Sequence, residues 1–275
     1  MKNISFYKIS AAGNDFILID NREGVLPKDV SSMAARLCNR KFAIGADGLI
    51  ILEKSKMADF KMRFFNSDGS AAEMCGNGAR SLARFAHKIG AAQKQMSFET
   101  DAGIVSAEIL KNNVRVGLSQ PKDIRLDFVL KVDKMEFNAS FINTGVPHTV
   151  IYVNDIEKAD VENIGRDVRN HKEFMPSGTN VNFVQVKDSH TLLVRTYERG
   201  VEAETLACGT GATASAVVSG IKKLVVPPVD CITRGGYTLS VTYKLNDSGD
   251  LISPVDNVFL EGPADIAFSG EIELK

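Results

Sequence analysis

Ala72-Glu73-Met74-Cys75-Gly76-Asn77-Gly78-Ala79 and Thr205-Leu206-Ala207-Cys208-Gly209-Thr210-Gly211-Ala212 are two versions of one design, a cysteine opening a glycine-rich helix start. The surrounding landmarks keep step. Asn66 and Arg199 each stand nine residues before their cysteine, and Gly45 and Gly178 each stand 30 before. Gly13 and Gly145 lie 62 and 63 residues upstream, while Thr100 and Thr233 both follow by 25. The chain therefore reads as an internal duplication with a period of 133 residues, too long for a solenoid and suited to two homologous domains.

Each copy carries many short β-type runs and few helical ones. Helical spacing predicts helices over 31–39, 76–89, 160–169 and 209–224. Because the strands follow one another instead of alternating with helices, the expected fold class is α+β: two homologous domains related by a pseudo-two-fold, each a mainly antiparallel, barrel-like sheet curled around a central helix. The run Ala212–Ile221, apolar almost all round, is the natural buried helix. The polar, proline-containing stretch Leu118–Arg125 is expected to be the linker, which gives domains over 1–120 and 121–264. The segment 265–275 follows the second copy and is available to return and complete the first sheet. A cleft between the copies is the expected ligand site.

Composition bounds the function. The 275 residues carry 33 Lys+Arg against 34 Asp+Glu, a net charge of −1 that offers no footprint for nucleic acid or an anionic membrane surface. The start, Met1–Lys8, has no apolar leader core, and no run approaches the roughly 18 apolar residues of a membrane span, so a cytoplasmic protein is expected. Four cysteines in a chain of this size, without a secretory signal, read as reduced thiols. Cys38 and Cys231 occupy non-equivalent repeat positions and read as small buried hydrophobes. Cys75, Cys208 and His148 lack the short paired spacings of a zinc site, so no metal is expected. The oligomeric state stays open, with a homodimer among the options.

A cysteine at a helix start feels the positive end of the helix dipole and the unpaired N–H groups of the first turn. Such thiols titrate at roughly pKa 3.5 to 7.5 instead of about 8.5, a range suited to acid/base work. The same N–H groups grip an anion, so two such starts could hold one carboxylate while a thiol stands on each face of the adjacent carbon. That arrangement suits stereoinversion: one thiolate removes the α-proton and the opposing thiol returns another. Taken singly, a Cys-Gly-x-Gly is a packed turn and a Glu-Arg pair a solvated ion pair; two copies in matched register favour function. A thiol redox switch and a noncatalytic small-molecule binder are the readings from other classes.

At these residues the chain resembles the diaminopimelate epimerases, pyridoxal-phosphate-independent isomerases of lysine and peptidoglycan-precursor biosynthesis. The resemblance runs from end to end. It rests on Gly13-Asn14-Asp15-Phe16, on Phe65–Ser70 with Cys75–Arg80, on Pro147-His148, on Asn180-Val181-Asn182-Phe183, and on Glu198-Arg199-Gly200 with Ala207–Gly211. Proline racemase-like enzymes share the paired cysteines, but a histidine typically follows their first Cys-Gly, where Asn77 stands here. The resemblance implies no cofactor and a small amino-acid substrate. It implies Cys75 and Cys208 as base and acid in the interconversion of LL- and meso-diaminopimelate, with Gly76, Asn77, Gly209 and Thr210 offering N–H groups to the reacting carboxylate. It further implies Asn14, Asn66, Asn180 and Arg199 on the rest of the substrate, Glu198 on an amino group, and His148 and Glu198 as tuners of the thiols. Three departures stand out: Val146 for a common asparagine, Gly48 for a common glutamine, and a loop Gly200–Thr205 one residue longer. They raise the alternative of a related cofactor-independent racemase with looser specificity, for a glutamate-like or proline-like substrate.

Overall fold

The computed structural model describes residues 2–72, 75–246 and 255–274. The chain divides into two compact units, Met1–Val116 with Gly262–Lys275, and Gly117–Glu261.

In the first unit, Asn14–Asp20 lies parallel to Gly48–Glu53, which continues antiparallel to Phe60–Asn66. Phe60–Asn66 is also parallel to Gln95–Thr100, and that strand leads antiparallel through Gly103–Ile109 to Asn113–Gly117. Lys2–Ala11 pairs antiparallel with both Asn14–Asp20 and the returning strand Asp265–Leu274. The sheet is thus mainly antiparallel with two parallel pairings. Asn14–Asp20 and Gly48–Glu53 are buried on both faces, as parallel neighbours under two helices must be. Helix α1 (Val30–Cys38) sets Met33, Ala34 and Leu37 against Ile17, Ile19, Leu49 and Ile51. On the other face, Phe16, Ile50 and Met62 close around Gly78 of helix α2 (Gly76–Lys88).

The second unit repeats this plan. Pro147–Tyr152 is parallel to Asn180–Asp188, with His148 opposite Asn180 just as Phe16 stands opposite Gly48, both pairs 32 residues apart. Thr191–Glu198 runs antiparallel to Asn180–Asp188 and parallel to Val229–Thr233. Helix α3 (Val161–Arg169) has nine residues like α1, and Asp160 caps it as Asp29 caps α1, each carboxylate accepting the N–H three residues on. Helix α4 (Gly209–Ile221) has 13 residues like α2 and is buried almost throughout. Its Ala, Val, Ser and Gly side chains are small enough for the surrounding strands to approach on every side.

One feature of the chain departs from the sequence expectation. The expected linker Leu118–Arg125 is half strand, since Lys122–Val132 forms an 11-residue ladder with Met135–Asn143. Ile124, Leu126, Phe128, Leu130 and Val132 alternate along it, the period-2 pattern of a half-buried strand, so past Pro121 the segment is extended sheet and not linker. Lys2–Ala11 is likewise a full strand, with Lys8 buried at an otherwise apolar register.

The Phe60 and Phe98 rings, both fully buried, stack at 5.2 Å across the parallel pairing of the first unit. Phe98→Ala is expected to cost about 3–5 kcal/mol, while Val129→Ala, at an exposed position, stays within about 0.5 kcal/mol. Denaturant midpoints at unchanged m-value check both.

Candidate active site

Each unit carries a cysteine at the start of its buried helix. Cys75 is the N-cap of α2 with φ −116° and ψ 132°, and Cys208 is the N-cap of α4 with φ −117° and ψ 112°. The two cysteines therefore leave their helices in nearly the same direction relative to the local backbone.

In the first unit the Cys75 thiol donates toward Asn14 Oδ1 at 4.0 Å, and Asn77 Nδ2 donates to the same oxygen at 3.4 Å. Both amides have a fixed orientation. Asp47 accepts Asn14 Nδ2 at 2.6 Å, so Oδ1 must face the thiol; Arg80 donates to Asn77 Oδ1 at 2.7 Å, so Nδ2 must face Asn14. Arg80 is fully buried, and burial pushes its guanidinium down to about 10, against the pull of Cys75. It also donates to Gly76 O and Pro263 O. Asp47 is held in turn by Arg40, which bridges to Asp15. Burial pushes the Asp15 carboxyl up, but hydrogen bonds and charges from Arg40 and Lys8 outweigh it and hold the group far below the usual carboxylate range. Asn66, at the exposed end of its strand, donates to Ser70 Oγ at 3.0 Å.

In the second unit Cys208 Sγ accepts the Gly211 N–H at 3.3 Å and lies 3.5 Å from Thr210 Oγ1. Glu198 lies beside this thiol, and its carboxylate accepts Thr205 Oγ1 at 2.6 Å. The expectation of a depressed thiol pKa fails here. Desolvation and then the Glu198 charge push Cys208 well above the ordinary thiol value, and the hydrogen bonds from Thr210 and Gly211 recover only part of it. Glu198 is itself raised by burial, with Thr205 and Cys208 pulling it back. Thr210 O accepts from Thr144, and Gly209 O from Thr213, which pins the helix start.

Asn180 joins two strand ends: Nδ2 donates to Pro147 O at 3.0 Å and Oδ1 accepts Arg199 N–H at 2.9 Å. The Arg199 guanidinium donates to Ser177 O. His148 is fully buried, and burial followed by the nearby Arg199 charge pushes it down to about 3, so it is neutral. Its Nδ1 faces Asn182 Nδ2 at 3.1 Å. Asn182 and Thr205, which carried no expected role, emerge as partners of His148 and Glu198. Both lie within the quoted motifs, but each takes its role from the group that the fold sets opposite it. Gly48 has a packing reason: a Cβ there would come within 2.5 Å of the Phe64 ring and 2.7 Å of Phe65 O. The longer loop is tied down by Glu202, which accepts from Gly200 N–H and from Arg169. Cys38 and Cys231 are buried thiols, and desolvation pushes both up. Among the described residues no cluster of His, Cys, Asp and Glu is arranged to hold a metal ion.

The model of a family described as diaminopimelate epimerase matches residues 6–122 and 140–252. The chain is 44% identical over 281 residues to the diaminopimelate epimerase of Aquifex aeolicus (strain VF5), covering 98% of each, and 41% identical over 276 residues to that of Hydrogenobaculum sp. (strain Y04AAS1), covering 96% of each. It is 40% identical over 273 residues to that of Chlorobaculum tepidum, covering 97% of this chain and all of the relative. Among solved structures, a probable proline racemase from Agrobacterium radiobacter K84 with bound carbonate superposes with a TM-score of 0.71 at 15% identity, covering 99% of this chain and 93% of that one. A PhzF-family phenazine biosynthesis protein of Bacillus anthracis gives 0.69 at 16% identity over the whole of both chains, a likeness of fold.

Because the Glu198 charge raises the Cys208 thiol, Glu198→Gln is expected to move the pH midpoint of Cys208 alkylation downward. Iodoacetamide labelling followed by peptide mass spectrometry checks it; an unchanged or higher midpoint contradicts the electrostatic reading.

Proposed function

The chain belongs to the diaminopimelate epimerase family, and on that premise we propose that Cys75 and Cys208 are the acid/base pair with which it interconverts LL- and meso-diaminopimelate. The enzyme is an isomerase of lysine biosynthesis. The observation that carries the residue assignment is the duplicated helix start: inversion by two bases needs one acid/base group for each face of the α-carbon, and each copy contributes one thiol in one backbone conformation.

The chemistry follows from the environments. With burial and the neighbouring Glu198 charge against its thiolate, Cys208 keeps its proton in the resting state and so serves first as the acid. Cys75, as thiolate, takes the α-proton while Cys208 delivers its own to the opposite face; the reverse reaction exchanges the roles. Negative charge developing on the carbon spreads into the α-carboxylate, where the first-turn N–H groups of Gly76-Asn77 and Gly209-Thr210 stabilise it without reorganising. A substrate ammonium or carboxylate reaching Cys208 displaces water, and a thiolate left there is stabilised by the Gly211 N–H and Thr210 hydroxyl. Arg199 and Asn180, joined by a backbone hydrogen bond, suit the distal amino-acid end, where a guanidinium can grip a carboxylate in a planar fork. Asn14 and Asn66 supply neutral amides. Two working thiols suit the reducing cytoplasm.

Cys75→Ser and Cys208→Ser are each expected to lower epimerisation by about 10²–10⁴-fold. The measurement is α-proton exchange of LL- and meso-diaminopimelate in deuterated water under reducing conditions. Full activity in either variant removes that thiol from the mechanism.

A further inference from the structure

His148 is fully buried, and its Nε2 has no hydrogen-bond partner among the described residues. Its other nitrogen sits in a chain of buried hydrogen bonds whose polarity can be worked out atom by atom. Thr149 O can only accept, and Asn182 Nδ2 lies 3.1 Å from it. Thr196 Oγ1 donates to Asn182 Oδ1 at 3.0 Å. The amide of Asn182 therefore has one orientation, and its second Nδ2 proton points at His148 Nδ1, 3.1 Å away. Nδ1 must accept, so the ring proton resides on Nε2. A second proton on Nδ1 would face a buried N–H that cannot accept it.

We propose that Asn182 is a positioning residue of the epimerisation: by donating to Nδ1 it locks His148 as the neutral Nε2–H tautomer, so that His148 serves the site as a hydrogen-bond donor and never as a base or a cation. The inference deepens the proposed function and rests on it. Neighbouring packing supports it. A Cβ on Gly211 would lie 2.3 Å from Asn182 Oδ1, 3.1 Å from Thr196 Oγ1 and 3.2 Å from Cys208 Cβ, so the Asn182 amide is wedged beneath the turn that carries the thiol. The lock is thus built into the floor of the Cys208 site. Burial and the Arg199 charge act in the same direction, against the histidinium.

The test is ¹⁵N NMR of ring-labelled histidine in the full-length protein, with His148→Gln assigning the signal. In the parent, His148 is expected to show a protonated Nε2 and an unprotonated Nδ1 throughout about pH 5 to 8. A proton on Nδ1, or titration to the cation in that range, overturns the proposal. Asn182→Asp places a carboxylate at Nδ1 and is expected to move the proton there, with kcat lower by about 10²-fold, KM little changed, and a new limb in the kcat pH profile. Asn182→Asp with parental kcat and pH profile overturns the positioning role. Asn182→Ala, which adds no charge, keeps the question answerable if the aspartate variant does not fold: it is expected to show mixed tautomers, and a pure Nε2–H signal there contradicts the lock. A parent with the expected tautomer but no turnover of diaminopimelate would count against the proposed function and leave the tautomer assignment standing.

Discussion

The N-terminal turn of a helix buried along almost its whole length is the constraint on which each half of this protein depends. Burying a helix is easy where its flanks are small, and α4 spends nearly all its positions on Ala, Val, Ser, Thr and Gly. Burying its first turn is not, because N–H groups there have no partner within the helix. The protein answers with side chains and loops. Cys208 accepts the Gly211 N–H, while Thr144 ties down the carbonyl of Thr210. In α2, Arg80 lies under the first turn, holding the Gly76 carbonyl and orienting Asn77. What remains unsatisfied points to the place where an anionic group of a substrate would be welcome.

Those same surroundings decide how the thiols behave. A helix start alone would favour thiolate, but helix-dipole contributions are worth roughly 0.3–1 kcal/mol at exposed sites and up to about 2 in partly buried ones. Desolvation of a thiolate beside a carboxylate outweighs them, so Cys208 rests as a thiol. Cys75 meets the neutral oxygen of Asn14, whose orientation is set through Asp47 and Arg40. One copy of the duplicated frame thus faces its cysteine with a carboxylate and the other with an amide. Duplication gives the backbone geometry twice, and the partners recorded around the two thiols differ.

Much of this was legible in the sequence because its signals are local. The Cys-Gly-x-Gly starts, the 3.6-type apolar spacing behind them and the matched glycines located both helices to within a few residues. The strand Lys122–Val132 was masked by the polar, proline-containing stretch it follows. Its own signal is the alternation of Ile124, Leu126, Phe128, Leu130 and Val132, which faces the ladder with Met135–Asn143. Asn182 and Thr205 stayed hidden for a different reason: an asparagine two residues along a strand, or a threonine before a loop end, acquires its meaning from the group that folding sets opposite. The depressed thiol pKa expected for Cys208 fails on the same ground, since helix-start position is local whereas desolvation and Glu198 are contributed by the fold.

Substrate discrimination turns on groups left wanting when the wrong molecule binds, and here the departures from the common family pattern find different answers. Gly48 is filled by packing: the Phe64 ring, edge-on to Phe16 at 5.7 Å, takes the space a longer side chain would need. An aromatic edge cannot reward a polar ligand group, so selectivity for the amino and carboxyl functions of the distal end must come from elsewhere. The second unit offers it. Asn180 spends both ends of its amide on backbone, aligning Pro147 and Arg199, and the guanidinium is braced by Ser177 O at 2.9 Å. A charged fork braced in this way matches a planar carboxylate in geometry, which is what the proposed function asks of it. On the proposed function, strictness toward a distal carboxylate rests on Arg199 and not on the glutamine and asparagine amides this chain lacks.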